Sequence, residues 1–257
     1  MNLARLPVVR IVGDVRSGSS RPLVVETARG RFFLKLVGGA EGPKVLAAEW
    51  IANQIARALL LPSLEVEALL LDPALAAPIE ESELREAVIR GAGLCLGVRE
   101  FAGSAIASLE VLEGADDDFA LRLYYFDTLI DNPDRRRNNP NVLRIGNALI
   151  PIDHGAALPF QHDWKHLSEE RPLDDAPPPL HLYASRHERL RPRFAELHSL
   201  LTREALAEIC RSVPDEWLGN IVFESPDRQR SAYAAFLWKR HAHLTAPHTH
   251  RPVSDGG

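Results

Sequence analysis

Residues 130–155 read IDNPDRRRNNPNVLRIGNALIPIDHG, and the order of side chains in this stretch decides the fold. Asp134 follows an Asn-Pro pair, Asn139 stands at D-x-x-x-x-N spacing from it, and Asn141 closes an NNPN run. An apolar strand, a Gly146-Asn147 turn and a second apolar strand follow, ending in Asp153-His154-Gly155. A carboxylate, an amide and a second carboxylate are thereby gathered around one short hairpin. Moving a phosphoryl group from a nucleotide asks for that set. One carboxylate accepts or orients a hydroxyl proton, while the amide and the other carboxylate hold magnesium on the phosphates.

Working outward, residues 117–131 have helical character and lead into the motif, with Asp116, Asp117 and Asp118 supplying the negative charge favoured at a helix N-terminus. Upstream, residues 8–12, 22–28, 31–37, 64–71 and 94–101 read as strands, the second and third joined by an Ala28-Arg29-Gly30 turn. Residues 44–60 read as a helix with one apolar stripe through Leu46, Trp50, Ile51 and Ile55, ended by Pro62. Residues 78–90 read as a short helix or structured loop. Downstream, 156–180 is irregular and proline-rich, whereas 187–201, 203–211 and 227–241 have helical pattern. The change of character near 101–104 predicts an α+β, two-lobed architecture. Residues 1–103 form a β-rich N-lobe of a sheet plus one helix, 104–244 a mainly helical C-lobe, and 245–257 a polar tail without fixed structure. A ligand cleft is expected between the lobes.

Within the catalytic stretch Asp134 is the expected catalytic aspartate. Asn139 and Asp153 are the expected magnesium ligands, with Asn141 a rival to Asn139, which is favoured on spacing. His154 reads as structural, since no second histidine pairs with it. Lys35 lies inside RFFLKLV, where it either faces solvent from a half-buried sheet or points at nucleotide phosphates. Glu49 on the next helix favours the second reading, because an unpaired charge beside Trp50 and Ile51 would be costly. Ser17, Gly18 and Ser19 belong to a small-residue loop whose amides and hydroxyls could cover phosphates, though it lacks G-x-G-x-x-G. Glu100 and Phe101 lie on the strand expected to read the nucleotide base by its backbone. Arg135, Arg136 and Arg137 are read either as solvated or as neutralising transferred phosphate or an acidic substrate.

Composition narrows the classes. The chain has 257 residues, 46% hydrophobic and 25% charged, with a net charge of −5. That argues against a general nucleic-acid binder or a basic membrane-surface protein. The two cysteines, Cys95 and Cys210, read as buried thiols rather than a disulfide framework. The first residues, MNLARLPVVRIVG, resemble neither a signal peptide nor an anchor, and no long uncharged apolar run follows. A cytoplasmic location is the expectation.

Taken together, SGSSRPLVVETARGRFFLKLVG, AAEWIANQIARALLLP, DNPDRRRNNPNVL, LIPIDHGAALPF and the ending PDEWLGN with SAYAAFLWKRHAH resemble the HipA-like kinase family, of protein-kinase-like and phosphoinositide-kinase-like fold. The resemblance implies ATP with Mg2+ as cofactors, and phosphorylation of serine or threonine on a protein as in the toxin members. It also implies that Lys35 anchors ATP, Glu49 partners it, Asp134 is catalytic, and Asn139 with Asp153 hold the metal. Toxin members usually have a small DNA-binding antitoxin, so an antitoxin-like protein partner is implied, with no direct nucleic-acid binding and no membrane. The absence of an A-P-E element leaves the substrate a protein or a small molecule. Two alternatives stay open: a pseudokinase serving as a binding or scaffold module, and a small-molecule or lipid kinase of related fold.

Overall fold

The computed structural model describes residues 4–14, 22–38, 42–101, 103–168, 170–174, 180–219 and 222–246. Ser17, Gly18 and Ser19, and the end of the chain beyond residue 246, lie outside these residues. The first half builds a closed barrel from β1 (Arg5–Asp14), β2 (Leu23–Thr27), β3 (Gly30–Lys35), β4 (Val66–Leu71) and β5 (Gly93–Arg99), in the order β1-β2-β3-β5-β4. All its pairings are antiparallel except β1 with β4. The β2–β3 hairpin turns where expected. Thr27 Oγ1 donates to Gly30 O and accepts from the Arg29 amide, and Gly30 takes φ +113°, which suits a residue without a Cβ.

Strand alternation places Lys35. In β3, Phe32 and Leu34 fill the barrel with Leu23, Val25, Leu69 and Cys95. Side chains alternate across a strand, so Phe33 and Lys35 are sent to the other face. Opposite Leu34, β5 carries Gly97, where a Cβ would enter the barrel 2.4 Å from Leu69 Cδ1 and 3.2 Å from Phe32 Cδ1.

Helix α1 (Lys44–Ala58) is buried along the whole run from Leu46 to Asn53, not only along one stripe. It is covered on several sides, touching β5, α6 (Arg203–Arg211) and α7 (Asp215–Leu218). It stops before Pro62 because Leu60 adopts φ 59°, letting the Leu60 and Leu61 amides turn back to Arg57 O and Ala56 O. Residues Ser82–Gly91 form helix α2. Helix α3 (Leu109–Glu113) and the strand β6 (Ala105–Ile106) were not expected. Helix α4 (Asp117–Leu129) starts at Asp116, whose side chain accepts the Phe119 amide at 2.8 Å. β7 (Val142–Ile145) and β8 (Ala148–Pro151) form the expected hairpin, with β6 on its edge.

The helix expected over 187–201 is one α-turn, α5 (His187–Leu190), followed by a 3-10 stretch, Arg191–Leu200. Pro192 explains the change, since it has no amide to give to an α-helical ladder. The last helix, α8 (Pro226–Thr245), runs four residues past its expected end because His241, Leu244 and Thr245 are buried. Among the described residues no helix is long and apolar enough to cross a membrane.

Two cores result. The smaller lies inside the barrel; the larger joins α1, Leu94 and Leu96 of β5 and the helices of the second half. Within the larger core Trp217 of α7 ties the helices to β5: it is fully buried, its Nε1 donates to Leu94 O at 2.7 Å, and its ring packs 5.9 Å from Trp50. Trp217→Ala removes that bond and leaves a cavity, so it should cost about 3–5 kcal/mol and lower Tm by roughly 10 °C, read by calorimetry. A shift of a degree or two would show that the helices and β5 are held together elsewhere.

Candidate active site

A cavity of about 520 Å³ lies beside the barrel, lined by Phe33 and Lys35 of β3, Glu49 and Asn53 of α1, Val66, Val98, Phe101, Ile106, Leu143 and Asp153 among others. At one end Lys35 Nζ bonds to Glu49 Oε1 and, at 2.8 Å, to Asp153 Oδ1. Burial alone would lower the ammonium's pKa, but Glu49 and Asp153 outweigh it and raise it, so the lysine is charged. Glu49 is buried while half of the Asp153 side chain is exposed. Asp153 is therefore the carboxylate open to a ligand.

The second cluster is the loop after α4. Asp134 Oδ2 accepts both Asn139 Nδ2, at 2.9 Å, and Asn141 Nδ2, at 3.2 Å. A carboxylate offers only acceptors, so both amides must turn their NH2 toward it and their oxygens elsewhere. Of the two asparagines, Asn141 is also tied by its backbone to the other cluster: its carbonyl accepts the Ile152 amide at 2.9 Å, next to Asp153. Asn139 instead exchanges backbone bonds with Arg136. Asn141 and Asp153 both take left-handed backbone, φ 46° and 57°.

Behind the loop is a buried polar network. Arg135 and Asp127 have no exposed side-chain surface, and Arg135 Nε donates to Asp127 Oδ2 at 2.6 Å. His181 Nε2 meets the same oxygen at 2.9 Å, and its Nδ1 accepts the Tyr183 amide, which fixes the proton on Nε2. Asp127 Oδ1 accepts Asn132 Nδ2, whose Oδ1 accepts the Asp134 amide. Burial pushes the Asp127 carboxyl up, yet Arg135 and His181 outweigh it and hold it down at about 2. His154 is buried edge-on against Phe126, and its Nδ1 accepts Arg135 Nη2 at 3.1 Å. Burial, with Arg135 beside it, lowers its pKa to about 3.

The structure thus brings Lys35, Glu49 and Asp153 together, and separately Asp134, Asn139 and Asn141. Phe101 lines the cavity. Glu100 does not, and its amide is engaged in continuing the β3–β5 ladder to Arg31 O. Of the three arginines, Arg135 is neither solvated nor available to phosphate, since it is sealed inside. Arg137 pairs with Glu113, and Arg136 donates to Pro133 O at 2.9 Å. Among the described residues no group of three His, Cys, Asp or Glu could hold a metal. Cys95 and Cys210 are both free and buried. Sequence reasoning missed Asp127, Asn132 and His181 as site residues. The available signal was a carboxylate directly after Tyr124-Tyr125-Phe126, where an unpartnered charge would be costly.

The fold is similar to that of the proinflammatory kinase CtkA of Helicobacter pylori, which shares 14% sequence identity, with 90% of this chain and 92% of that chain covered at a TM-score of 0.57. No curated protein sequence matches the chain. The HipA-like kinase family matches residues 8–232, and the protein belongs to that family.

Two predictions follow from this geometry. A Cβ at Gly155 would lie 2.7 Å from Val45 Cγ1 and 3.5 Å from Glu49 Oε1. Gly155→Ala should therefore push α1 outward and cost about 1–3 kcal/mol. Adding Val45→Ala should recover at least half of the loss in denaturant titrations; no recovery would place the strain elsewhere. The second concerns acid. His154 is neutral when folded but takes a proton when unfolded below pH about 6.5, so its contribution to stability falls as pH drops from there toward about 3. His154→Asn keeps an acceptor for Arg135 and does not titrate. Relative to wild type the variant should gain about 2 kcal/mol between pH 6.5 and 5, measured by urea unfolding at each pH.

Proposed function

We propose that this protein is an ATP- and Mg2+-dependent phosphotransferase that phosphorylates an alcohol, a serine or threonine hydroxyl on a protein. The observation that carries the reading is the pairing of Lys35 with both Glu49 and Asp153 at the end of the cavity, with Asp134 joined to the same region through Asn141 and Ile152. The cavity suits an adenine nucleotide in its chemistry. Its walls include Phe33, Val66, Val98, Phe101 and Ile106, and Asn53 on the wall has a buried Oδ1 with no partner, an acceptor that a ligand N–H could satisfy. The donor set for a metal is one half-exposed carboxylate with amide oxygens from Asn141 or Asn139, hard oxygens of the kind Mg2+ takes while keeping several waters.

When bound, Mg2+ would neutralise charge on the nucleotide phosphates. The chain's own residues do the rest. Lys35, kept charged and aimed by Glu49, presents an ammonium to a phosphate oxygen. Asp134 is held by two amide donors on Oδ2, which leaves Oδ1 to accept or orient the substrate hydroxyl proton. Phe101 and Ile106, both partly exposed at the cavity, flank a base.

Thermal unfolding with and without Mg·ATP tests this. Ligand at 100 times its Kd stabilises by about 2.7 kcal/mol, roughly 5–10 °C at this size. The shift should require Mg2+ and vanish in Asp153→Ala. Asp134→Ala should keep the shift while losing transfer by roughly 10²–10⁴-fold. Full turnover in Asp134→Ala, or no shift at millimolar Mg·ATP, would sink the reading.

A further inference from the structure

Arg135 takes no part in binding phosphate, because none of its side chain reaches solvent. Its contacts instead join two segments of chain. Nη1 reaches the carbonyls of Pro140 at 3.2 Å, Asn141 at 2.5 Å and Ile152 at 3.4 Å, while Nη2 reaches His154 Nδ1 at 3.1 Å. The first two carbonyls end the loop that carries Asn139 and Asn141. The last two contacts lie on either side of Asp153. We propose that Arg135 is a positioning residue for the metal-holding side chains, fixing Asn141 and Asp153 relative to each other by clasping the backbone of both segments. The inference rests on the phosphotransferase reading for what those side chains hold.

Three arguments support it. Asn141 and Asp153 both sit in left-handed backbone, a conformation that persists in non-glycine residues only where the surroundings over-determine it. The guanidinium supplies that surrounding by engaging the carbonyls of Asn141 and Ile152 together. Next, a buried ion pair is poor evidence for stability, since apolar side chains of similar volume often do as well. An apolar residue at 135 could fill the space but could not aim three carbonyls and an imidazole. Lysine, a point charge without the planar fork, could not either. Finally, Arg135 is itself immobilised. Asp127 takes its Nε, and Asp127 is fixed in turn by His181 and Asn132. Magnesium requires near-ideal octahedral geometry, so small errors between its ligands cost affinity.

The test compares wild type with Arg135→Lys by hydrogen exchange and by Mg2+ titration of nucleotide-dependent stabilisation, well below Tm. The expected result is local. Amides at 141–143 and 150–155 lose protection while the barrel strands and α8 keep theirs. The Mg2+ needed for half-maximal stabilisation rises roughly 10–100-fold, as for other outer-shell partners of metal ligands, and nucleotide affinity without metal is unchanged. A Mg2+ midpoint matching wild type, or exchange that quickens uniformly through the chain, overturns the proposal and leaves Arg135 a general stability residue. If Arg135→Lys does not fold, Asp127→Asn carries the test. It keeps the volume but withdraws the charge on Nε, and the same local pattern is expected in weaker form; its absence overturns the proposal. A wild-type protein indifferent to Mg·ATP refutes the phosphotransferase reading instead, and the exchange pattern alone then decides whether Arg135 positions the two segments.

Discussion

A carboxylate with no exposed surface, Asp127 near the end of α4, carries the loop that holds Asp134. One oxygen takes Arg135 and His181, the other takes Asn132. Through Asn132 the influence reaches the Asp134 amide, and through Arg135 it reaches Asn141, Ile152 and His154. Desolvation opposes this arrangement, and the cation and imidazole outweigh it. Such a network is costly if any member is unsatisfied and rigid if all are satisfied. Here each of these donors meets an acceptor, so the loop inherits the rigidity of α4.

The other half of the site is placed by packing. Lys35 faces the cavity because Phe32 and Leu34 occupy the barrel interior, and strand alternation allows no other arrangement. Glu49 meets it because α1 is wedged between β5 and the helices α6 and α7. Gly155 lets the segment after Asp153 pass so close to α1 that a methyl group would strike Val45. The separation between Glu49 and Asp153 is therefore set by a backbone contact, and Lys35 bridges a gap whose width the packing fixes.

Much of this was legible in the sequence, for reasons that can be stated. The barrel strands follow from apolar runs bounded by turn residues, and the β2–β3 hairpin from Ala28-Arg29-Gly30. The Lys35–Glu49 pair follows from a charge lodged beside Trp50 and Ile51, which must find a partner. What could not be read was direction. Arg135, Arg136 and Arg137 look alike in sequence, yet one is sealed against Asp127 and the others lie nearer solvent, a difference made by partners distant in sequence, Asp127, Ile152 and His154. Both asparagines of NNPN reach Asp134, and the backbone bond from Ile152 to Asn141, which ties this loop to the segment leading to Asp153, leaves no mark in the sequence. β6 was invisible because two exposed residues, Ala105 and Ile106, carry no alternation. The 3-10 stretch after Leu190 hid behind a helical pattern of apolar residues that Pro192 cannot support.

The distribution of charge follows from the same division. Arg135, the cation nearest in sequence to Asp134, is neutralised by Asp127 and closed off, so it contributes position rather than field. At the Lys35 end of the cavity one ammonium stands against two carboxylates, Glu49 and Asp153, while Arg99, also on the lining, is paired with Glu65. A polyphosphate would be repelled by such a surface unless a cation accompanied it. Asp153, half exposed and already shared with Lys35, is the group where that cation would act, and its carbonyl neighbour Ile152 is one that Arg135 holds. On the proposed reading, metal dependence thus arises from the protein's own charge balance, and its precision from an arginine that never meets the ligand.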